Sequence, residues 1–488
     1  MERFKLHRLW ILFLGISFLF VGLYLLTTPH AFSVQAYSNE SGQRPLIRNG
    51  VNLRTTEAFT VYLPLITRYY PPSPSVFGVE MSAVDNAHGL VEAREAGVRW
   101  VRLAAFPWDR IEPEPGDYHW DVVDEESLKK AAENDMEVIA VVKYTPAWAQ
   151  KVEGSRCGPI KQDALDDFAR FLTEAVRRYS SSPYSVRYWE LGNEPDVRAN
   201  ISDKPWGCWG DESDPYFGGG YYAEMLKVAY PAIKSVDSSA KVVIGSLLLD
   251  CHPDHEALGL YCSPGRENSG KFLEGILRGG GGDYFDVVGF HAYAYVGSSE
   301  GEIWSPAWSQ EQTTSILEKN AFLQGVLTSY GYPDKGLMNT ECALDCTNLT
   351  DACLETQAMY VLRAYAEAIA LGLESQVYYA MTSSWKNTGL LWPSTMEPKP
   401  VYEAYKVASA YLSDANYEGS TGYTGVQGYT FYSKGTQTYI DVIWSPDNDT
   451  HKLKLSADAV LYDRYGEPLN TSGEVEVDYA PIYVMRRP

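Results

Sequence analysis

Between Val76 and about residue 408 the chain alternates between two hydrophobic periods. Short apolar runs, rich in β-branched and aromatic residues, begin near Val76, Val98, Glu137, Val186, Lys241, Asp286, Gly336 and Gln376. Between them lie longer stretches whose apolar residues recur every three or four positions, the spacing that puts one face of a helix on a core. The clearest is Leu165, Phe168, Ala169, Leu172, Ala175, Val176 and Tyr179, interleaved with Asp166, Asp167, Arg170 and Glu174. Eight strands alternating with helices predict an α/β fold, a parallel (β/α)8 or TIM barrel, over residues 76–408. After that the texture changes to Gly, Tyr, Thr and Ser, with period-two runs such as Tyr439-Ile440-Asp441-Val442-Ile443. Residues 409–488 are therefore expected to form a small β-sandwich.

The N-terminus follows neither pattern. Arg3, Lys5 and Arg8 precede an uncharged apolar run from Leu9 to Leu26. This is the layout of an export signal, and residues 1–36 read equally as a cleaved signal peptide or as a membrane anchor through residues 9–26. Either way the rest of the chain is expected outside the cytoplasm, secreted or held on the outer side of the membrane. Residues 37–75 lack periodicity and end in Pro71-Pro72-Ser73-Pro74, a stiff linker. Seven cysteines suit disulfides in such a compartment. Spacing permits Cys251 with Cys262, Cys346 with Cys353, and Cys157 with Cys208, leaving Cys342 as a buried small hydrophobe; the connectivity stays open.

Composition narrows the class of partner. In 488 residues, 45% of them hydrophobic, the formal net charge is −22. That excludes a disordered chain and opposes counterion-driven binding to nucleic acid. The run Gly279–Gly282 precedes a strand instead of following one, so it fails as a phosphate cradle.

The chemistry concentrates at strand ends. The run from Val186 to Leu191 passes through Gly192 into Asn193-Glu194-Pro195, and Gly336-Leu337-Met338-Asn339-Thr340 ends in Glu341. In a closed barrel the fourth and seventh strands face one another, and active sites lie at the C-terminal face. Two carboxylates across a cleft are the apparatus of glycoside hydrolysis. At this point the sequence resembles clan A of the retaining glycoside hydrolases, and most nearly family 39. In that clan the acid/base lies in Asn-Glu-Pro after strand four and the nucleophile after strand seven. The resemblance implies Glu194 as acid/base and Glu341 as nucleophile. Gly97-Val98-Arg99-Trp100-Val101-Arg102-Leu103 looks like the second strand, making Arg102 the cation beside the nucleophile. Tyr144-Thr145-Pro146-Ala147-Trp148 and Phe290-His291-Ala292-Tyr293 resemble the third and sixth strand ends, with His291 and Tyr293 on the nucleophile side. Asn193 is placed to hold the sugar 2-hydroxyl, and Trp148 and Trp385 to act as sugar platforms. Gly192 and Cys342-Ala343 depart from the aromatic residues usual at those positions.

The loop residues Trp206, Trp209, Tyr216, Phe217, Tyr221, Tyr222, Trp304 and Trp308 either frame a multi-sugar groove or pack among themselves. The expected function is an exported retaining glycosidase acting on oligo- or polysaccharides, with no metal and no organic cofactor. A transglycosylase on the same site and a non-catalytic glycan-binding protein are the alternatives. Oligomeric state is not legible.

Overall fold

The computed structural model describes residues 75–198, 208–263, 266–297, 299–447, 449–469 and 474–488. The expected signal or anchor (1–36) and nearly all of the expected linker (37–75) lie outside them, as does Trp206. Among the described residues no helix is long and apolar enough to cross a membrane.

The strands β1 (Phe77–Glu80), β2 (Trp100–Pro107), β3 (Glu137–Lys143), β4 (Tyr188–Asn193), β5 (Lys241–Leu247), β6 (Val287–Val296), β7 (Gly336–Asp345) and β8 (Gln376–Tyr378) begin within two residues of their expected starts. Each pairs in parallel with the next, and β8 pairs with β1, closing the barrel. A helix of six residues or more follows each strand: α1 (Leu90–Glu95), α2 (Glu125–Glu133), α3 (Leu165–Tyr179), α4 (Gly219–Val236), α5 (Phe272–Arg278), α6 (Ile316–Ser329), α7 (Asp351–Leu371) and α8 (Pro400–Leu412). In α3 the expected stripe is buried, apart from half-buried Ala169, and Phe171 joins it. The closing helix runs past residue 408 because its apolar spacing continues through Ser409 to Leu412. The next strand starts only at Ala415.

The inside of the barrel is floored by one side chain per strand: Trp100, Ile139, Tyr188, Val243, Val287, Met338 and Val377 are buried as one cluster. β1 contributes Gly78, where an added Cβ would stand 2.8 Å from that of Trp100. The carbonyls of Gln376 and Trp100 would each lie 3.2 Å away as well, so the neighbouring strands leave no room for a side chain there. Gly78→Ala should therefore overpack the floor and cost about 1–3 kcal/mol of stability, read from the midpoint of urea unfolding.

The C-terminal strands β9 (Ala415–Ser420), β10 (Gln427–Ser433), β11 (Thr438–Trp444), β13 (Val460–Tyr462) and β15 (Ile482–Arg486) form one antiparallel sheet, and β12 (His451–Lys454) pairs with β14 (Glu474–Val477) in a second. Strand alternation divides the work of β11. Ile440, Val442 and Trp444 join the large barrel-side core, while Ile443 packs with Leu453, Leu461, Val475, Val477 and Val484 between the two sheets. The expected sandwich is present, and the inner face of its larger sheet is covered by the barrel. Arg363 of α7 lies under the Trp444 ring at 5.0 Å, and Arg464 and Tyr465 both bond Glu355 of α7.

Candidate active site

Strand periodicity builds the centre of the site. Two residues above the floor, on the same inward face, stand Glu80 on β1, Arg102 on β2 and Glu190 on β4. The guanidinium of Arg102 is buried and fully engaged. Its Nε and Nη2 donate to the two oxygens of Glu190 at 2.9 and 2.7 Å, and Nη2 also donates to Asn193 Oδ1 at 2.5 Å. Its Nη1 donates to Glu80 Oε2 at 2.7 Å and to Glu341 Oε1 at 2.5 Å.

The two sequence-predicted carboxylates reach this centre by different backbone devices. On β4, Gly192 has φ +100, and a Cβ there would meet nothing within 4 Å. The glycine is required by the bend of the chain and not by crowding. Glu194 follows at φ 49, a left-handed conformation that a β-strand residue does not otherwise adopt and that costs about 1–3 kcal/mol. On β7 the device is a bulge: Gly289 pairs with Met338, but His291, two residues on, pairs with Glu341, three residues on. The extra residue turns Glu341 to the same inward face as His291.

His291 stands between the carboxylates. Its Nδ1 is 2.8 Å from Glu194 Oε1 and 3.5 Å from Glu341 Oε2. It was expected on the nucleophile side; it contacts both carboxylates and lies nearer Glu194. Tyr293, two residues further along β6, donates its hydroxyl to Glu341 Oε2. Lys319 reaches up from α6 to donate to the carbonyls of His291 and Leu248 at 2.7 and 2.9 Å, which ties the middle of β6 to the residue that follows β5. One oxygen of Glu194, one of Glu341 and a ring nitrogen of His291 all lie within 4.8 Å of one another.

Environment separates the two carboxyls. Burial raises Glu194, and the charge of Glu341 raises it further against the pull of His291, so it sits above the ordinary carboxylate range. Burial would raise Glu341 as well, but His291, Arg102 and the Tyr293 hydroxyl together outweigh it and hold it below. Burial opposes charge on His291; the two carboxylates override this and raise its pKa. Burial pushes Glu80 up to about 7 despite Arg102, with Glu341 adding to the effect.

Trp385 is 44% exposed at the mouth, its ring 5.4 Å from that of Tyr293 and edge-on to it. Tyr295, equally exposed, continues the β6 line outward. The indole of Trp148 donates to the carbonyl of Glu112 and packs edge-on against Trp108. Of the loop aromatics, Trp209, Phe217, Tyr222 and Trp308 are buried in packing. Packing is thus the correct account for these four, whereas Tyr216, Tyr221 and Trp304 are half-buried; Tyr295, which was not singled out, is as exposed as Trp385.

The disulfides are Cys157–Cys208, Cys251–Cys262 and Cys346–Cys353, with Cα separations of 5.4, 5.6 and 5.9 Å, and Cys342 is free and buried. Cys251, His255 and Cys262 bring donor atoms together as a metal site would, but the disulfide removes the thiolates that a metal needs.

Comparison with known proteins agrees with this architecture. The family model Glyco_hydro_42, described as beta-galactosidase, matches residues 86–151. No curated protein matches the chain. Among solved structures, a family 39 glycoside hydrolase from the gut symbiont Bacteroides cellulosilyticus WH2 superposes with a TM-score of 0.64 at 19% identity, over 85% of this chain and 81% of its own. A GH30 endoxylanase from Clostridium papyrosolvens C71 gives 0.54 at 14% identity, over 85% and 97%. A family 44 xyloglucanase from Paenibacillus polymyxa gives 0.52 at 13% identity, over 86% and 97%. The chain thus has the barrel fold of these glycoside hydrolases, as its resemblance to clan A implied.

Proposed function

We propose that this protein is an exported retaining glycoside hydrolase that cleaves oligo- or polysaccharides by double displacement. One observation carries the reading: two buried carboxylates, set close together at the barrel mouth, whose surroundings move their pKa values in opposite directions. One oxygen of Glu194 lies within 4.8 Å of one of Glu341, which supports the retaining geometry of about 5–5.5 Å over the about 6.5–9.5 Å that inverting enzymes need to admit a water.

In the first step the Glu341 carboxylate attacks the anomeric carbon as the bond to the leaving oxygen breaks, and Glu194 gives that oxygen its proton. In the second, Glu194 takes a proton from water, whose oxygen displaces Glu341 from the anomeric carbon. Formation of the ester removes the charge of Glu341, so Glu194 becomes more acidic when it must serve as a base. Asn193 has its Oδ1 held by Arg102, which leaves its Nδ2 to donate to the sugar 2-hydroxyl. Trp385 offers a face to the sugar at the nucleophile side. The expected N-terminal export segment and the three disulfides support an extracytoplasmic location.

The test is incubation with a panel of β-linked polysaccharides and oligosaccharides, following new reducing ends and, by proton NMR, the anomer released first. Retention of configuration is expected. Release of the opposite anomer would refute double displacement, and binding without cleavage or sugar transfer would make this a glycan-binding protein.

A further inference from the structure

Trp385 is carried by the turn that follows β8, and the two residues after it, Lys386 and Asn387, both take left-handed backbone conformations, at φ 47 and φ 54. L side chains disfavour that region, and two such residues in succession persist only where their surroundings impose the conformation. Here the surroundings do so. The N–H of Cys346, one residue past the end of β7, donates to the carbonyl of Lys386 at 2.9 Å, and Asn387 Nδ2 donates back to the carbonyl of Cys346 at 2.9 Å. The carbonyl of Asn387 accepts from Lys399 Nζ at 2.9 Å and from Gln357 Nε2 at 3.1 Å.

These ties close into a ring. Cys346 is bonded through its disulfide to Cys353 in the first turn of α7, and Gln357 lies one turn further along that helix. The disulfide therefore sets the spacing between the two bodies that grip the turn, the end of β7 and α7. Gln357 Nε2 repeats the link by donating to the carbonyl of Leu344 at 2.9 Å. Cys346, Cys353, Gln357 and Lys399 are all buried, so water does not compete for these bonds, and none of the four side chains is open to a substrate. What they act on is the ring next to the turn. Trp385 stands edge-on to Tyr293 at 5.4 Å and to Tyr379 at 5.7 Å, and the Tyr293 hydroxyl donates to Glu341.

We propose that the Cys346–Cys353 disulfide, Gln357 and Lys399 are positioning elements, which together hold the Lys386–Asn387 turn in its strained form and so keep the face of Trp385 beside the nucleophile. When this strap is cut the turn relaxes and the ring leaves its place. The inference rests on the hydrolase reading and adds to it a set of buried residues that reach the substrate only through Trp385.

The test compares the full chain with Cys346→Ser/Cys353→Ser, Gln357→Leu and Lys399→Met, each also combined with Trp385→Ala. Hydrogen exchange read by mass spectrometry should quicken in peptides covering residues 383–390 and stay unchanged in those covering β1 to β4. On whichever of the nitrophenyl β-glycosides of xylose, glucose, galactose and mannose the parent cleaves best, kcat/KM should fall roughly 10- to 100-fold when the disulfide is removed. With Trp385→Ala already present the same substitutions should cost nothing further, a non-additivity that a merely structural role does not produce. Should the variant without the disulfide lose protection throughout the barrel, the decision passes to Gln357→Leu and Lys399→Met, which keep it. Unchanged exchange in the turn, an unchanged kcat/KM, or a loss that persists in full with Trp385→Ala overturns the proposal. If the parent cleaves none of these glycosides and no polysaccharide, the hydrolase reading falls, and calorimetry with xylohexaose and cellohexaose takes the place of kcat/KM. Binding weakened by the strap variants, and weakened no further by them once Trp385 is alanine, retains this inference. No binding, or binding that the strap variants leave unchanged, overturns it.

Discussion

Glu194→Ala is expected to slow hydrolysis of glycosides with poor leaving groups by about 10²- to 10⁴-fold and to erase the alkaline limb of the pH–rate profile. The proposed double displacement needs Glu341 ionised and Glu194 protonated. The depressed pKa of Glu341 puts the acid limb below the ordinary carboxylate range, since activity is lost as falling pH protonates the nucleophile. The raised pKa of Glu194 puts the alkaline limb above that range, since activity is lost as rising pH takes the proton the leaving group needs. His291 couples the two through its contacts with both, so the limbs report the pair. Removing Glu194 leaves only the acid limb. Azide entering the vacated space should restore turnover and give a glycosyl azide of the substrate's own configuration, identified by NMR. Glu341→Gln should lose hydrolysis without rescue of that kind. An alkaline limb that survives in Glu194→Ala would assign the acid to another group.

Much of this site is visible in the sequence because a barrel exposes strand ends, and strand ends are easily located. The runs into Asn193-Glu194-Pro195 and into Glu341 both stop at polar residues after an apolar stretch, which marks the mouth directly. What is not visible depends on register. Read with unbroken alternation from inward Met338, β7 would turn Thr340 inward and Glu341 away; the bulge that corrects this has no signal in the residues themselves. Glu190 shows a missed signal of another kind. It is a charged residue inside Tyr188-Trp189-Glu190-Leu191, two positions from an inward Tyr, and a buried charge in an apolar strand calls for a partner. Glu80 carries the same mark at the end of β1. Trp148 illustrates a different limit, since sequence does not tell that a loop tryptophan has a neighbouring tryptophan and a backbone carbonyl as partners.

The charge balance around Arg102 leads to the second large effect. Arg102 is the cation shared by three carboxylates, of which Glu190 is fully buried. Arg102→Met leaves Glu190 charged with no cation in contact, and breaking a buried pair from one side costs about 3–5 kcal/mol. The urea midpoint should fall accordingly, and activity should fall with it, since Glu341 loses part of what keeps it ionised and Asn193 loses its anchor. Lysine at 102 should not rescue, because one ammonium cannot span the fork of acceptors on β1, β4 and β7. Adding Glu190→Met to Arg102→Met removes the stranded charge, so the double variant should regain part of the stability but none of the activity. That split separates the two duties of Arg102. Equal recovery of both would mean that it only braces the fold, and an Arg102→Met protein as stable as the parent would mean that Glu190 is not held by it.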